Sequence, residues 1–154
     1  MLECDLLEYQ VKGLDPKTLT CESKPLVHNV LKEKEIRGKP IVSLISPGTE
    51  LASLKNCALK GNTPGGLGYA CVFEVNEIGS TVSHIKVGDR VFYSGGHKSI
   101  QNAMETDVVK LPLGLDPKVA VFARLMGVSM STLTTTIARP PQIVVITGLG
   151  LVGH

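Results

Sequence analysis

Gln142-Ile143-Val144-Val145-Ile146-Thr147 runs directly into Gly148-Leu149-Gly150-Leu151-Val152-Gly153 near the end of this 154-residue chain. The β-branched residues 143–146 favour a strand, and Pro140-Pro141 prevents an upstream helix from continuing into them. A strand that opens a G-x-G-x-x-G turn is typical of a dinucleotide-binding βαβ unit, because small residues allow a tight turn and close approach to a pyrophosphate. A hairpin or a plain loop is the alternative for this pattern.

Only His154 follows these glycines, so no residues remain for the helix whose N-terminus would hold the phosphate. We therefore expect the chain to be a fragment. The predicted organisation is an upstream domain with its connecting helices over residues 1–138, followed by the truncated start of a second domain over residues 139–154.

The composition predicts a globular protein that acts on a small molecule. Hydrophobic residues make up 43% of the chain and charged residues 19%, which is typical of a folded domain. The formal net charge of +2 is too small and too evenly spread to indicate nucleic-acid binding. No apolar run is long enough for a membrane span, and residues 1–5 are acidic where a signal peptide would be basic. We expect a cytoplasmic protein with no membrane partner.

The cysteines predict neither a metal finger nor a redox motif. They are widely spaced and contain no C-x-x-C pair: Cys4, Cys21, Cys57 and Cys71. The simplest interpretation is that they are small buried hydrophobic residues, with two disulfides as the alternative in an oxidising compartment.

Short strands and turns dominate the first two thirds of the chain. Ile41–Ser46 has strand propensity and ends at Pro47-Gly48, after which residues 49–55 can form a helical turn. Residues 31–37 fit either a short helix or a strand. Residues 71–78 alternate like a half-buried strand, and residues 87–93 predict a turn that leads into another strand. This order predicts an antiparallel barrel or sandwich.

Helices are predicted beyond residue 112. Asp116-Pro117 is a helix start with a capping carboxylate and a proline at the first helical position. Apolar residues then recur at helical spacing from Val119 to Met126, and a second helical stretch could cover residues 128–138. Its threonines make that second helix a weak one.

Residues 68–79, followed by Val82 and by Lys86-Val87-Gly88-Asp89-Arg90-Val91, resemble the signature of the medium-chain dehydrogenases/reductases, the zinc alcohol dehydrogenase superfamily. Residues 45–51 and 108–112 add to the resemblance, which covers most of residues 36–154. It implies a mainly β or α+β chain: a GroES-like antiparallel β-barrel with connecting helices, then the first strand of a Rossmann domain that binds NAD or NADP.

The resemblance also implies that the catalytic zinc of many family members is lost. The position of their first cysteine ligand falls on Pro47 or Ser46, their Gly-His-Glu triplet reads Gly68-Tyr69-Ala70, and their third ligand falls on Val128. A catalytic zinc needs about three N, S or O ligands from the protein. The four-cysteine lobe of a structural zinc is absent as well, so we expect no zinc and no other metal.

Four candidate catalytic residues follow from the same resemblance. Thr49 matches the hydroxyl that passes a proton from substrate towards solvent, and Ser46 is the other match for the cysteine position. Tyr69 replaces the ligand histidine and could offer its O–H to a substrate, whereas Glu50 matches an acid that supports the metal site.

Each of these residues also has a purely structural interpretation. Thr49 could cap a helix over Ala52, Tyr69 could pack in the barrel, and Glu50 could be a first-turn acid that interacts with the helix dipole. The isolated His97 is interpreted as a surface or hydrogen-bonded loop residue rather than a metal ligand.

The resemblance makes Gly148, Leu149, Gly150, Leu151, Val152 and Gly153 the candidate cofactor-binding residues. It predicts an NAD(P)-dependent oxidoreductase that acts on a small carbonyl or alcohol, is a homodimer or tetramer at full length, and is inactive as this fragment. A GroES-like binding or regulatory module without catalysis is the alternative. A co-chaperonin fits poorly, because the chain runs on into the glycine motif.

Overall fold

The structure is a computed structural model that describes residues 7–15, 17–26, 29–62, 65–137 and 143–153. Predictions that concern Cys4, residues 140–142 and His154 lie outside this part of the chain. The chain divides into two compact units, Met1–Val121 and Phe122–His154, and each is described by itself. The domain boundary predicted after residue 138 remains a prediction.

The first unit is built from two antiparallel sheets and two helices. The smaller sheet pairs β1 (Leu7–Asp15) with β2 (Thr18–Pro25). The larger sheet has the strand order β6-β3-β4-β5-β7. Its strands are β3 (Glu35–Leu44), β4 (Ala70–Ile78), β5 (Arg90–Tyr93), β6 (Gln101–Met104) and β7 (Val108–Lys110), with a short 3-10 helix at Glu105–Asp107. Helix α1 spans Pro47–Leu59 and helix α2 spans Pro117–Ala120.

These elements confirm the predicted mainly β, antiparallel architecture, while closure into a GroES-like barrel remains a prediction. Residues 41–44 of the strand predicted over residues 41–46 belong to β3, and α1 begins at Pro47, two residues before the predicted helical turn over residues 49–55. Residues 31–37 form no helix, and Glu35 already belongs to β3. The segment is a strand from Glu35 onwards because residues 35–38 pair with β6 on one side and residues 36–38 pair with β4 on the other.

The core lies around β4. Ile36, Phe73, Val75 and Val91 are completely inaccessible to solvent, and the rings of Phe73 and Tyr93 pack edge to face with centroids 6.2 Å apart. The prediction that β4 is half-buried is wrong for its first half, because residues 70–73 are all buried. Apolar side chains on both faces of this segment are covered, as in a central strand packed from two sides.

The small sheet is joined to the larger one through two loops. The Val11 N–H donates to the His97 carbonyl at 2.9 Å, and the Leu67 N–H donates to the Val11 carbonyl at 3.0 Å. Isolated bridges between Gln10 and Lys98 and between Lys12 and Gly66 extend this contact. Strand β1 therefore lies between the loop that precedes β4 and the loop that precedes β6.

The helix start at Asp116 is confirmed, but the helices that follow differ from the prediction. The Asp116 carboxylate accepts the Lys118 N–H at 2.8 Å, and α2 ends after only one turn. In the described residues of the second unit, one continuous helix, α3, spans Ala123–Thr135. The prediction of a separate helical stretch over residues 128–138 is therefore wrong, because α3 is continuous through residues 126–128. The chain breaks instead at Val121 and Phe122, where Val121 is buried and caps the end of α2.

The strand predicted over residues 142–147 is wrong for the residues that the structure describes there. Residues 143–147 have no regular structure, and Ile143 is 92% exposed. A strand exists through hydrogen bonds to a neighbouring strand, and none of the seven strands in the described part of the chain pairs with this segment. Its β-branched residues have strand propensity, but propensity alone does not form a ladder.

No helix in the described ranges is long and apolar enough to cross a membrane.

Candidate functional site

The first turn of α1 brings three predicted site residues together. Ser46 is the N-cap residue, and its backbone N–H donates to Oε1 of Glu50 at 2.7 Å. The Ser46 hydroxyl donates to Oγ1 of Thr49 at 3.0 Å. The alternative that Thr49 caps the helix is therefore wrong, because Pro47 already occupies the first helical position and Thr49 lies inside the turn.

His97 connects this turn to strand β3. Its Nε2 lies 3.2 Å from Oε2 of Glu50, and its Nδ1 lies 2.8 Å from the Ser43 hydroxyl. The side chains of His97 and Glu50 are only 12% and 11% exposed, so this contact is largely shielded from water. His97 is a hydrogen-bonded loop residue as predicted, but its partnership with Glu50 was not predicted from the sequence.

The loop that carries His97 is held by backbone contacts on both sides. The His97 N–H donates to the Leu67 carbonyl at 2.7 Å, and the buried Gln101 side chain donates to the Gly96 carbonyl. Gly68 lies against Gly96, and a Cβ at Gly68 would meet the Gly96 Cα at 2.4 Å. The start of the segment Gly68-Tyr69-Ala70 thus packs directly on the loop that contains His97.

A surface groove of about 230 Å³ opens beside the Ser43 end of this cluster. Ser43 and His97 form one side of it, and Tyr9, Cys21 and Lys98 also line it. Ser43 is exposed, so its hydroxyl contacts both the buried imidazole and the solvent. The Ser43 end of the cluster is therefore accessible to water, whereas the contact between His97 and Glu50 is largely shielded.

Tyr69 lies at the same end of the large sheet as the first turn of α1. It directly precedes Ala70, whose partner Leu44 ends β3, and it is half-buried. Val128 lies on α3 in the second unit. The structure thus joins Ser46, Thr49 and Glu50 by hydrogen bonds and places Tyr69 at the same sheet end.

Cys71 behaves as the predicted buried hydrophobic residue, but Cys21 does not. Burial raises the pKa of the Cys71 thiol to about 12, which keeps it protonated and unreactive. Cys21 is exposed, because it lies on β2 at the outer edge of the small sheet, and Cys57 is half-buried. All three described cysteines are free thiols.

No group of three or more His, Cys, Asp or Glu side chains in the described ranges could hold a metal ion.

The candidate cofactor-binding residues form a tight turn in the second unit. Gly148 has a φ of +89°, and a Cβ at Gly153 would lie 2.0 Å from the Gly148 carbonyl oxygen. The Gly153 N–H closes the turn on the Gly150 carbonyl at 3.0 Å. Such glycine-dependent geometry fits a backbone that approaches a phosphate closely, although the flanking strand of a βαβ unit is not formed in the described residues.

No protein-family profile matches the chain. Two curated relatives do: the quinone oxidoreductase of Pseudomonas aeruginosa, 37% identical over 70 residues, and quinone oxidoreductase 1 of Escherichia coli, 34% identical over 71 residues. The matches cover 43% and 44% of this chain. They span only 22% of each relative.

Solved structures share the fold. The E. coli quinone oxidoreductase complexed with NADPH has a TM-score of 0.63 at 21% identity, covering 82% of this chain and 40% of that chain. The quinone oxidoreductase from Coxiella burnetii has a TM-score of 0.65 at 21% identity, with 83% and 44% covered. The complex of Etr1p with NADP and crotonyl-CoA has a TM-score of 0.68 at 20% identity, with 88% and 45% covered.

Each solved structure is thus about twice as long as the part that this chain matches. The curated relatives are identical to this chain at more than a third of the positions in the matched segment. The chain is therefore similar to quinone oxidoreductases over a segment of 70–71 residues, and it shares the fold of the solved structures.

Proposed function

We propose that this chain is the catalytic-domain part of an NAD(P)-dependent oxidoreductase that reduces small carbonyl compounds, quinones among them, or oxidises the corresponding alcohols without a catalytic zinc. The observation that carries the proposal is the identity of 37% and 34% with two quinone oxidoreductases. The linked hydroxyl and carboxylate groups at the start of α1 supply a chemically suitable site.

Without zinc, a carbonyl group must be polarised by hydrogen-bond donors. Thr49 fits this role because it is exposed and its oxygen accepts the Ser46 proton, so its own hydrogen can point to a substrate oxygen. Tyr69 at the same sheet end is a second candidate donor. In the reduction direction the carbonyl oxygen takes the Thr49 proton, and the exposed Thr49 recovers a proton from solvent.

Residues 148–153 would hold the pyrophosphate of the cofactor through their backbone N–H groups, in a Rossmann domain that begins near residue 139. The nicotinamide, when bound, supplies or accepts the hydride. We further propose that residues 1–138 close into a GroES-like barrel with connecting helices, and that the whole protein is a homodimer or tetramer.

The test is turnover by the whole protein with NADH or NADPH and a panel of quinones, small ketones and aldehydes. We expect reduction of at least one class, and a loss of kcat of about 100-fold or more in Thr49→Val. Thr81→Val, an exposed threonine in a turn, is the matched control and should retain activity. Lack of turnover with every substrate would contradict the proposal and favour a non-catalytic binding module.

Two further measurements address the metal and the cofactor. Elemental analysis of the whole protein should find no stoichiometric zinc, and about one tightly held zinc per chain would contradict the zinc-independent mechanism. Titration of residues 1–154 alone should show negligible NAD(P)H affinity, because the chain covers only 40% and 45% of the NADPH- and NADP-bound structures that it resembles. Micromolar binding to this chain would overturn that view.

A further inference from the structure

Hydrogen bonds, linked through the backbone and side chain of Ser46, connect His97 to the proposed catalytic hydroxyl. His97 Nε2 contacts Oε2 of Glu50 at 3.2 Å, and Oε1 of the same carboxylate accepts the Ser46 N–H at 2.7 Å. The Ser46 hydroxyl then donates to Thr49 at 3.0 Å. Each group is thus fixed by the next, although His97 lies 47 residues from Glu50 in sequence.

The chemistry of Glu50 determines how His97 is oriented. An ionised carboxylate only accepts hydrogen bonds, and one of its oxygens already accepts the Ser46 N–H. The other oxygen therefore requires a hydrogen on His97 Nε2. In neutral His97 the Nδ1 atom accepts the Ser43 proton, and in the imidazolium the Nδ1–H donates to the Ser43 oxygen. Both protonation states keep both hydrogen bonds.

We propose that His97 is a positioning residue that acts through Glu50 and Ser46 to hold Thr49 and to set the pH dependence of carbonyl reduction. This inference rests on the proposed function. Protonation changes the charge of the His97–Glu50 pair from −1 to 0, while the contacts that hold α1 stay in place. A neutral pair favours the negative charge that develops on the substrate oxygen beside Thr49, whereas a pair with a net negative charge opposes it.

The sign of the effect follows from this charge. Reduction should be fastest where His97 is protonated and should slow as rising pH removes that proton. The other titratable side chains on the groove are Tyr9 and Cys21 from the small sheet and Lys98 from the same loop, and each needs its own control variant.

The matched pair of variants is His97→Gln and His97→Ala in the whole protein. Glutamine can still donate a hydrogen bond to Glu50 but does not titrate, so the pair keeps a charge of −1, and we expect kcat near the lower, high-pH wild-type value with its dependence on pH abolished. Alanine leaves Glu50 unsupported, and kcat should drop about 10- to 100-fold with little change in KM, as expected when a reacting group is misplaced. Tyr9→Phe, Cys21→Ser and Lys98→Gln should retain the wild-type pH profile.

A second readout needs no cofactor or substrate. In NMR titrations of residues 1–154, the methyl shift of Thr49 should follow the same midpoint as the His97 ring and should become insensitive to pH in His97→Gln. The methyl group of Thr81 is the internal control. If the methyl chemical shift of Thr49 does not change when His97 ionises, the positioning role of His97 is overturned, whatever the activity of the protein.

The two proposals fail differently. If the wild-type protein reduces no substrate, the proposed function fails and the role of His97 in reduction fails with it. If wild-type protein is active but His97→Gln has the same pH profile, only the role of His97 is overturned. If His97→Gln and His97→Ala have equal kcat and pH profiles, the hydrogen bond to Glu50 does not position Thr49.

Discussion

Gly68 and Gly96 are in backbone contact that leaves no room for a side chain at Gly68. A Cβ there would lie 2.4 Å from the Gly96 Cα and 2.6 Å from the His97 nitrogen. Gly68 also has a φ of +134°, which other residues rarely adopt. Gly68→Ala should lower the free energy of unfolding by about 2–4 kcal/mol, through backbone strain and overpacking together. Urea unfolding measures the change.

Gly127→Ala is the matched control for this substitution. Gly127 lies within α3, and a Cβ there would have no atom within 4 Å. Alanine is the better helix former by about 1 kcal/mol, so this variant should be as stable as wild type or slightly more stable. Equal stabilities for Gly68→Ala and wild type would show that the two loops separate readily, and the position of His97 would then be poorly determined.

The contact between these loops also explains why the sequence predicted only part of the site. The start of α1 was predictable, because Ser46-Pro47 is a local signal and Thr49 and Glu50 lie within the same helical turn. The contact of His97 with Glu50 was not predictable from such local signals. It arises only after residues 67–68 pack on residues 96–97, and no sequence periodicity indicates such packing.

The same distinction between local and non-local information applies to the fold. β4 and the Asp116 cap were predictable from alternation and from side-chain capping chemistry. Residues 143–147 have equally strong strand propensity, yet a strand requires a neighbour with which to pair. Burial of residues 70–73 on both faces likewise depends on elements distant in sequence.

The free cysteines should differ sharply in their reaction with a thiol reagent. Cys21 is exposed, whereas Cys71 is completely inaccessible and burial raises its pKa to about 12. Iodoacetamide at pH 8 should therefore alkylate Cys21 in the folded chain and leave Cys71 unmodified, as peptide mass spectrometry would show. Denaturation in urea should make both react. Modification of Cys71 at the rate of Cys21 in native conditions would contradict the buried position of β4.

Arg37 should be intolerant of replacement by lysine. It is 6% exposed and donates to Oδ1 of Asn102 at 3.2 Å, to Oε2 of Glu77 at 3.1 Å and to the Asn29 carbonyl at 2.9 Å. A lysine ammonium cannot reproduce the planar fork that reaches all three acceptors. Arg37→Lys should therefore cost about 2–3 kcal/mol of stability in urea unfolding.

Arg90→Lys is the control for the arginine geometry. Arg90 is exposed, and its Nε lies 3.7 Å from Oε2 of Glu74, which is a weak surface pair. Its replacement should change stability by less than about 0.5 kcal/mol. If both variants lose the same free energy of unfolding, the buried contacts of Arg37 contribute no more to stability than a solvated ion pair does.

Because of Glu105, the stability of the first unit should decrease when the pH becomes acidic. The Ser83 N–H donates to Oε2 of Glu105 at 3.0 Å, and this hydrogen bond lowers the pKa of the carboxyl below its ordinary value. The His84 N–H and the charge of Lys34 act in the same direction, while burial opposes them. A carboxylate with a lowered pKa stabilises the folded state above its ordinary pKa, and this contribution disappears as pH falls through the lowered value.

Glu105→Gln should therefore have a lower Tm than wild type at pH 7, with a difference that shrinks as the pH is lowered below about 4, where carboxyl groups of unfolded chains protonate. Circular dichroism melts at pH 7 and pH 3 measure both differences. Glu33→Gln, at an exposed carboxyl in a turn, is the matched control and should follow wild type at both pH values. A Tm difference for Glu105→Gln that is equal at pH 7 and pH 3 would mean that the shape of the side chain, and not its charge, holds the Ser83 turn against residue 105.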